Sequence, residues 1–134
     1  MANDYDYLIP GLAQGSVPPS GVQLPFDVVV LAAYECQPEP SVPTIFRAAL
    51  DDSGPPPNHI DKIVIRETAK EVARRVRAGQ RVLVTCRQGR NRSGVISGLA
   101  LVELGMSGRQ AAELIRRIRN GLTNPYFYEM VIGS

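Results

Sequence analysis

Cys86 and Arg92 stand six positions apart, with Arg87, Gln88, Gly89, Arg90 and Asn91 between them and Ser93 directly after. A deprotonated thiol is a strong nucleophile, and a guanidinium presents a planar fork of donors that grips two oxygens of a phosphate. A run of five residues held between a buried strand and a helix N-terminus can curl its backbone N–H groups around an oxyanion, and the helix dipole adds positive charge. Gly89 permits the tight curvature that a Cβ would obstruct. The same field is expected to draw the Cys86 thiol below its free value of about 8.5, leaving it ionised at neutral pH. A nucleophile and a phosphate cradle on one loop are the parts needed for covalent phosphoryl transfer. The plain alternative is a buried structural thiol followed by an arginine-rich surface turn. Cys, Gly, Arg and Ser at these offsets argue against it.

The flanking sequence supplies the elements that such a loop requires. Arg81 to Thr85 is a β-branched strand leading into Cys86, and an apolar helix runs from about Ser93 to Leu104 on the far side. Upstream, Tyr7 to Gly15 reads as a short edge strand pair broken by Pro10-Gly11, and Phe26 to Ala33 as a strand buried on both faces. Thr44 to Leu50 is a weaker strand that delivers the chain to Asp51-Asp52. Asn58 can cap a helix whose apolar face is marked by Ile60, Ile63, Val64, Ala69, Val72, Ala73 and Val76, with Gly79 as terminator. Ser107 to Gln110 is a capping box opening a third helix, with Ala111, Leu114, Ile115 and Ile118 inward. Asn124-Pro125 introduces a last helical turn around Tyr126 to Met130. Strands alternating with helices predict an α/β fold: a central, mostly parallel sheet of about four to five strands flanked by helices. Ligands in such sheets bind beyond the carboxyl ends of strands, where Cys86 falls.

Composition narrows the classes. A chain of 134 residues with 44% apolar and 21% charged residues fits one globular domain, residues 1–134. The apolar run Val28 to Ala33 is far too short to span a bilayer, and the opening MANDYDY has no positively charged leader, so neither a membrane span nor a secretory signal is expected. A net charge of +2 gives no strong nucleic-acid signal, although thirteen of the fifteen basic residues are Arg. Two cysteines, Cys36 and Cys86, make neither a disulfide framework nor a zinc site, which favours a reducing, cytoplasmic setting. Cys36 is read as a passive thiol, with reversible disulfide formation to Cys86 under oxidation as the alternative. His59, among prolines at a helix start, reads as a surface residue. The ligand inventory implies no metal and no cofactor.

Cys86-x5-Arg92-Ser93 resembles the signature of the cysteine-based protein tyrosine phosphatase superfamily, specifically its small dual-specificity branch. Ile9 to Ser16 resembles the opening strand segment of that branch and Arg81 to Val84 its strand before the nucleophile. Arg119, Asn124 and Phe127 resemble its closing Arg…Asn-x-x-Phe segment. The resemblance implies a catalytic domain in which Cys86 attacks phosphorus to form a phosphocysteine, while Arg92 and the loop amides of Arg87 to Asn91 stabilise the oxygens. Ser93 would hydrogen-bond the thiolate and assist its departure; a helix N-cap is its alternative or additional role. One position departs from the pattern: Thr85 stands where the family usually has His. Thr offers one hydroxyl bond and no charge, so a somewhat higher thiol pKa is expected, without loss of function.

A leaving oxygen needs a proton, and the family carries an Asp on a loop upstream of the nucleophile. Asp51 and Asp52 lie 35 and 34 residues before Cys86; the pattern favours Asp52, with Asp51 second, against the plain alternative of two acids opening a turn. So short a chain has no room for elements that deepen the pocket. A shallow site taking phosphotyrosine, and phosphoserine or phosphothreonine, on a protein or peptide is the expectation. Arg87 and Arg90 stand where phosphoinositide phosphatases of the superfamily carry Lys, which favours a polyanionic substrate unless both point outward at the rim. Asn91 to Gly94 also resembles the loop of cysteine-dependent RNA 5′-triphosphatases. A rhodanese-type sulfurtransferase would use a shorter loop. Arsenate reductases and low-molecular-weight phosphatases usually carry the motif at the start of the chain. A non-catalytic phosphopeptide-binding module would have lost the Cys or the acid. Oligomeric state is open.

Overall fold

A computed structural model describes residues 4–18, 20–33, 37, 39–50 and 56–134, with the side chain of Ala49 also excepted. Cys36, Asp51 and Asp52 lie outside the described residues. Five strands and four helices follow in chain order: β1 (Tyr5–Ile9), β2 (Leu12–Gly15), β3 (Val28–Ala33), β4 (Thr44–Leu50), α1 (His59–Arg77), β5 (Val82–Thr85), α2 (Arg92–Glu103), α3 (Gly108–Arg119) and α4 (Pro125–Ile132).

The strands form one sheet in the order β1-β2-β5-β3-β4. Only β1 and β2 pair antiparallel; β2 with β5, β5 with β3, and β3 with β4 are parallel. The α/β fold with a mostly parallel five-stranded sheet therefore stands as expected. β1 and β2 were expected as an edge pair, but only β1 is an edge. β2 is paired on both sides, and all four of its residues are buried. Leu12, Ala13, Gln14 and Gly15 lie opposite Val82, Leu83, Val84 and Thr85. This register puts Gly15 beside the start of the Cys86 loop.

Strand alternation divides the core in two. On one face Leu12, Val28, Val30, Val82 and Val84 meet buried residues from all four helices. On the other, Ala13, Val29, Leu31 and Leu83 pack with Leu24 and Phe26, and no helical residue joins that cluster. The helices thus flank the sheet on one side. α2 is the central one, with every residue from Arg92 to Leu101 buried, so its N-terminus is held rigidly at the end of β5.

The helix ends follow local chemistry. Asn58 caps α1 through a reciprocal box with Asp61, and Gly79 follows at φ +84°. The buried face of α1 is Ile65, Ala69, Val72 and Ala73, with Val64 and Val76 partly buried beside it; the expected Ala69, Val72 and Ala73 are there, but Ile60 and Ile63 are not. At 100° per residue Ile63 and Ile60 fall about 200° and 140° round the helix from Ile65. They are accordingly 46% and 65% exposed. α4 runs two turns rather than one, with Pro125 in its first turn and the Asn124 side chain accepting from the N–H groups of Tyr126 and Phe127. α3 opens on the expected box between Ser107 and Gln110, and Ala111 and Ile115 are buried with Leu114 and Ile118 partly so. Ser107→Ala should cost about 1 kcal/mol in urea unfolding, and Ser107→Gly only a few tenths.

Candidate active site

β5 ends at Thr85, and the next six residues form a loop closed by the first turn of α2. The loop is hung from outside by its carbonyls. Arg87 O accepts from Val17 N at 3.5 Å and Gln88 O from Arg119 Nη2 at 3.4 Å. Gly89 O accepts from both Gln14 Nε2 (3.0 Å) and Arg119 Nε (3.1 Å). Arg90 O accepts from Leu122 N (3.2 Å) and Gln14 Nε2 (3.4 Å). Four consecutive carbonyls are therefore turned away from the loop centre. In a trans peptide the N–H points opposite the C=O, and every described peptide is trans. The amides of Gln88, Gly89, Arg90 and Asn91 consequently point inward. The hollow they face is a cleft of about 120 Å³ lined by Cys86, Arg87, Gln88, Arg90, Asn91 and Arg92.

The sulfur and the guanidinium stand at opposite ends of this hollow's sequence and are both nearly buried, at 2% and 7% exposure. The Cys86 thiol donates to Ser93 Oγ at 3.3 Å. Ser93 is the second residue of α2, fully buried, so the expectation that it could cap the helix is corrected. Asn91 occupies the capping position, and its side chain faces the other way, where Oδ1 accepts from Thr123 Oγ1 (3.2 Å) and Asn124 N (3.0 Å). Arg92 Nη1 donates to Leu50 O at 3.2 Å, which ties the end of β4 to the cleft. β4 leads directly into Asp51 and Asp52, whose own positions lie outside the described residues.

Thr85 makes a neutral, fully buried relay. Its hydroxyl donates to Val30 O at 2.7 Å and accepts from Gln37 Nε2 at 3.2 Å, while Gln37 Oε1 accepts from Ala33 N at 2.7 Å. Arg87, Gln88 and Arg90 expose their side chains around the mouth of the cleft. Neither of these two arginines has an ion-pair partner among the described residues. His59 is exposed at the start of α1. Among the described residues, no group of three or more His, Cys, Asp or Glu could hold a metal, and no helix is long and apolar enough to cross a membrane.

Cys86 and Arg92 line the same cleft, and Ser93 touches the Cys86 sulfur; Gln14 and Gln37 carry no expected role, and Arg119 none beyond a resemblance. Arg119 is a hub whose side chain is only 6% exposed. Besides the two loop carbonyls it binds Asp4 (2.8 Å) and Asp6 (2.9 Å), joining the first strand to the loop. Its hydrogen bond holds the Asp4 carboxyl below its ordinary value against a smaller opposing effect of burial, with Ser16 and the charges of Arg119 and Arg90 assisting. The same bond raises the Arg119 pKa further above its already high value. The sequence signal for Gln14 was present: it is a polar residue two positions after Leu12, on the core face of a strand.

The fold is that of the cysteine-based dual-specificity phosphatases. Human DUSP28 superposes with a TM-score of 0.78 at 23% identity, over 98% of this chain and 92% of its own. A mouse putative dual specificity phosphatase, solved with zinc tungstate, gives 0.77 at 21% identity, over 98% and 86%. PTPMT1, solved in complex with PI(5)P, gives 0.69 at 17% identity, over 96% and 92%. No protein-family model matches the sequence, and no curated protein matches it.

Two outcomes follow from the hung loop. Gly89 has φ +70°, and a Cβ there would sit 2.6 Å from Gly15 O and 2.5 Å from Arg119 Nη2. Gly89→Ala should therefore destabilise the fold by about 1–3 kcal/mol in chemical unfolding. Asp4 has a lowered folded pKa, so its contribution is fully present above the unfolded carboxylate range and is lost as pH falls through the lowered value. Because Asp4 is mostly exposed, screening limits that contribution to about 1 kcal/mol or less. Asp4→Asn should flatten the acid limb of a stability–pH curve and leave the neutral-to-alkaline side parallel to the wild type.

Proposed function

We propose that residues 1–134 form one catalytic domain that hydrolyses phosphomonoesters through a phosphocysteine on Cys86. The observation that carries this reading is the convergence of a buried thiol, a buried guanidinium and four inward amides on one cleft. Cys86 Sγ attacks phosphorus and forms the S–P bond as the P–O bond to the leaving group breaks. The leaving oxygen takes a proton from Asp52, with Asp51 the second candidate. Water then attacks phosphorus and gives its proton to the same carboxylate, the S–P bond breaks, and inorganic phosphate leaves. Charge on the three equatorial oxygens is met by the Arg92 fork and by the amides of Gln88 to Asn91, already oriented before substrate arrives. Once the thiol has lost its proton, the Ser93 hydroxyl can turn and donate to sulfur, which makes Cys86 a better leaving group in the second step. Arg87, Gln88, Gly89, Arg90 and Asn91 form the phosphate-binding loop.

The small cleft favours a phosphotyrosine side chain, and also phosphoserine or phosphothreonine, presented by a protein. A second reading, a substrate with further phosphates, rests on Arg87 and Arg90 both lining the cleft, although their exposure at its mouth is the rim placement that counts against it; PTPMT1, solved with PI(5)P, shares the fold. A free thiol at the reacting position supports work in a reducing compartment such as the cytoplasm. The chemistry calls on no metal or other cofactor.

Hydrolysis of para-nitrophenyl phosphate should persist in EDTA, be inhibited by vanadate, vanish in Cys86→Ser and fall about 10²–10³-fold in Arg92→Ala. Asp52→Asn should remove the limb of the pH–rate profile that requires a protonated acid, whereas Asp51→Asn should keep it. A wild-type protein that holds a phosphopeptide without turnover would instead be a binding module. Inositol lipids lagging far behind phosphopeptides would remove the second reading.

A further inference from the structure

Gln14 occupies a position that packing alone would give to an apolar side chain. It lies in β2 between Ala13 and Gly15, opposite Val84, and is wholly buried on the helix-covered face of the sheet. Its amide nitrogen donates to two successive carbonyls of the Cys86 loop, Gly89 O at 3.0 Å and Arg90 O at 3.4 Å. Its oxygen, Oε1, is buried with no hydrogen-bond partner among the described residues. Turning the amide over would set Oε1 against both carbonyl oxygens, so the two acceptors fix the orientation and the oxygen is left unsatisfied. An unsatisfied buried acceptor is destabilising, and a Leu or Met of similar volume would avoid it. The side chain therefore directs its amide to two carbonyls of the anion loop, while its oxygen gains no bond from the described residues to add to stability.

We propose that Gln14 is a positioning residue for oxyanion binding: by drawing the Gly89 and Arg90 carbonyls outward, it aims the Arg90 and Asn91 amides at the phosphate. This deepens the phosphatase reading and rests on it. The Gly89 carbonyl also has Arg119, and the Arg90 carbonyl also has Leu122, so loss of Gln14 loosens the loop without leaving either carbonyl bare. Loosened amides bind a tetrahedral oxyanion more weakly while the core is spared.

The test is tungstate binding to the whole chain by calorimetry, alongside thermal unfolding without the ion. Gln14→Met should weaken tungstate about tenfold, the worth of one to two hydrogen bonds, with a melting temperature equal to or above that of the wild type. A purely structural role predicts the reverse: a lower melting temperature and unchanged tungstate affinity. Gln14→Glu is the second variant, and it is read against the wild type at each pH. Its carboxyl can donate to one carbonyl when protonated and only repel both when ionised, so the affinity deficit should widen as pH rises through its titration. Equal affinity in Gln14→Met, or a pH-independent deficit in Gln14→Glu, overturns the proposal for Gln14 while leaving the cleft an anion site. A wild-type protein that binds no tungstate overturns the phosphatase reading, and this proposal with it.

Discussion

A loop that turns successive backbone N–H groups inward has to solve a problem of orientation, since every inward N–H requires a carbonyl that faces the other way and must find a donor there. In this chain four successive carbonyls, from Arg87 to Arg90, find theirs in Val17, Arg119, Gln14 and Leu122. Those donors come from the segment after β2, the end of α3, the middle of β2 and the connection to α4. The sheet order explains why they converge: β2 lies directly beside β5, and α3 and α4 pack on α2, which begins where the loop ends. Much of the architecture can be understood as a frame that supplies outward partners for one loop.

The same frame fixes Cys86 and Arg92. β5 is the central strand and α2 the most buried helix, so Cys86 leaves one rigid element and Arg92 enters another. Preorganisation of this kind matters because electrostatic catalysis is effective only when donors need not reorganise during reaction. Thr85 adds rigidity of a neutral sort, through Gln37 and the Val30 carbonyl. Arg92 also touches the end of β4, so the strand that carries the chain towards the two aspartates is anchored to the cradle itself.

What the sequence revealed and what it hid divide along chain separation. The Cys86 loop, its strand and its helix are contiguous, and their residue types alone carry the chemistry. The capping boxes at Asn58 and Ser107 are equally local and were legible for the same reason. Gln14 is 75 residues from its loop partner Gly89, and Arg119 is 113 from Asp6; nothing in local pattern pairs them. Only the first turn of α1 reads differently: Ile60 and Ile63 look apolar in sequence but the helix carries them round to solvent, while Ile65 leads a buried face whose Ala69, Val72 and Ala73 are legible. β2 reads as part of an edge pair because hairpin signals say which strands are joined, not what pairs on the far side, where β5 lies.

The Arg119 hub has a consequence for how this protein matures. Its bonds join Asp4 and Asp6 near one end of the chain to Gln88 and Gly89 past the middle, and Leu122 adds a further tie to the loop from beyond α3. During synthesis the thiol at position 86 is made long before residues 119 and 122 emerge from the ribosome. A nascent chain can thus carry its cysteine without a complete cradle around it, and loop closure over such separations is among the slower steps of folding. Completion of the loop's outward bonds therefore waits on the docking of both the first strand and the segment that follows α3.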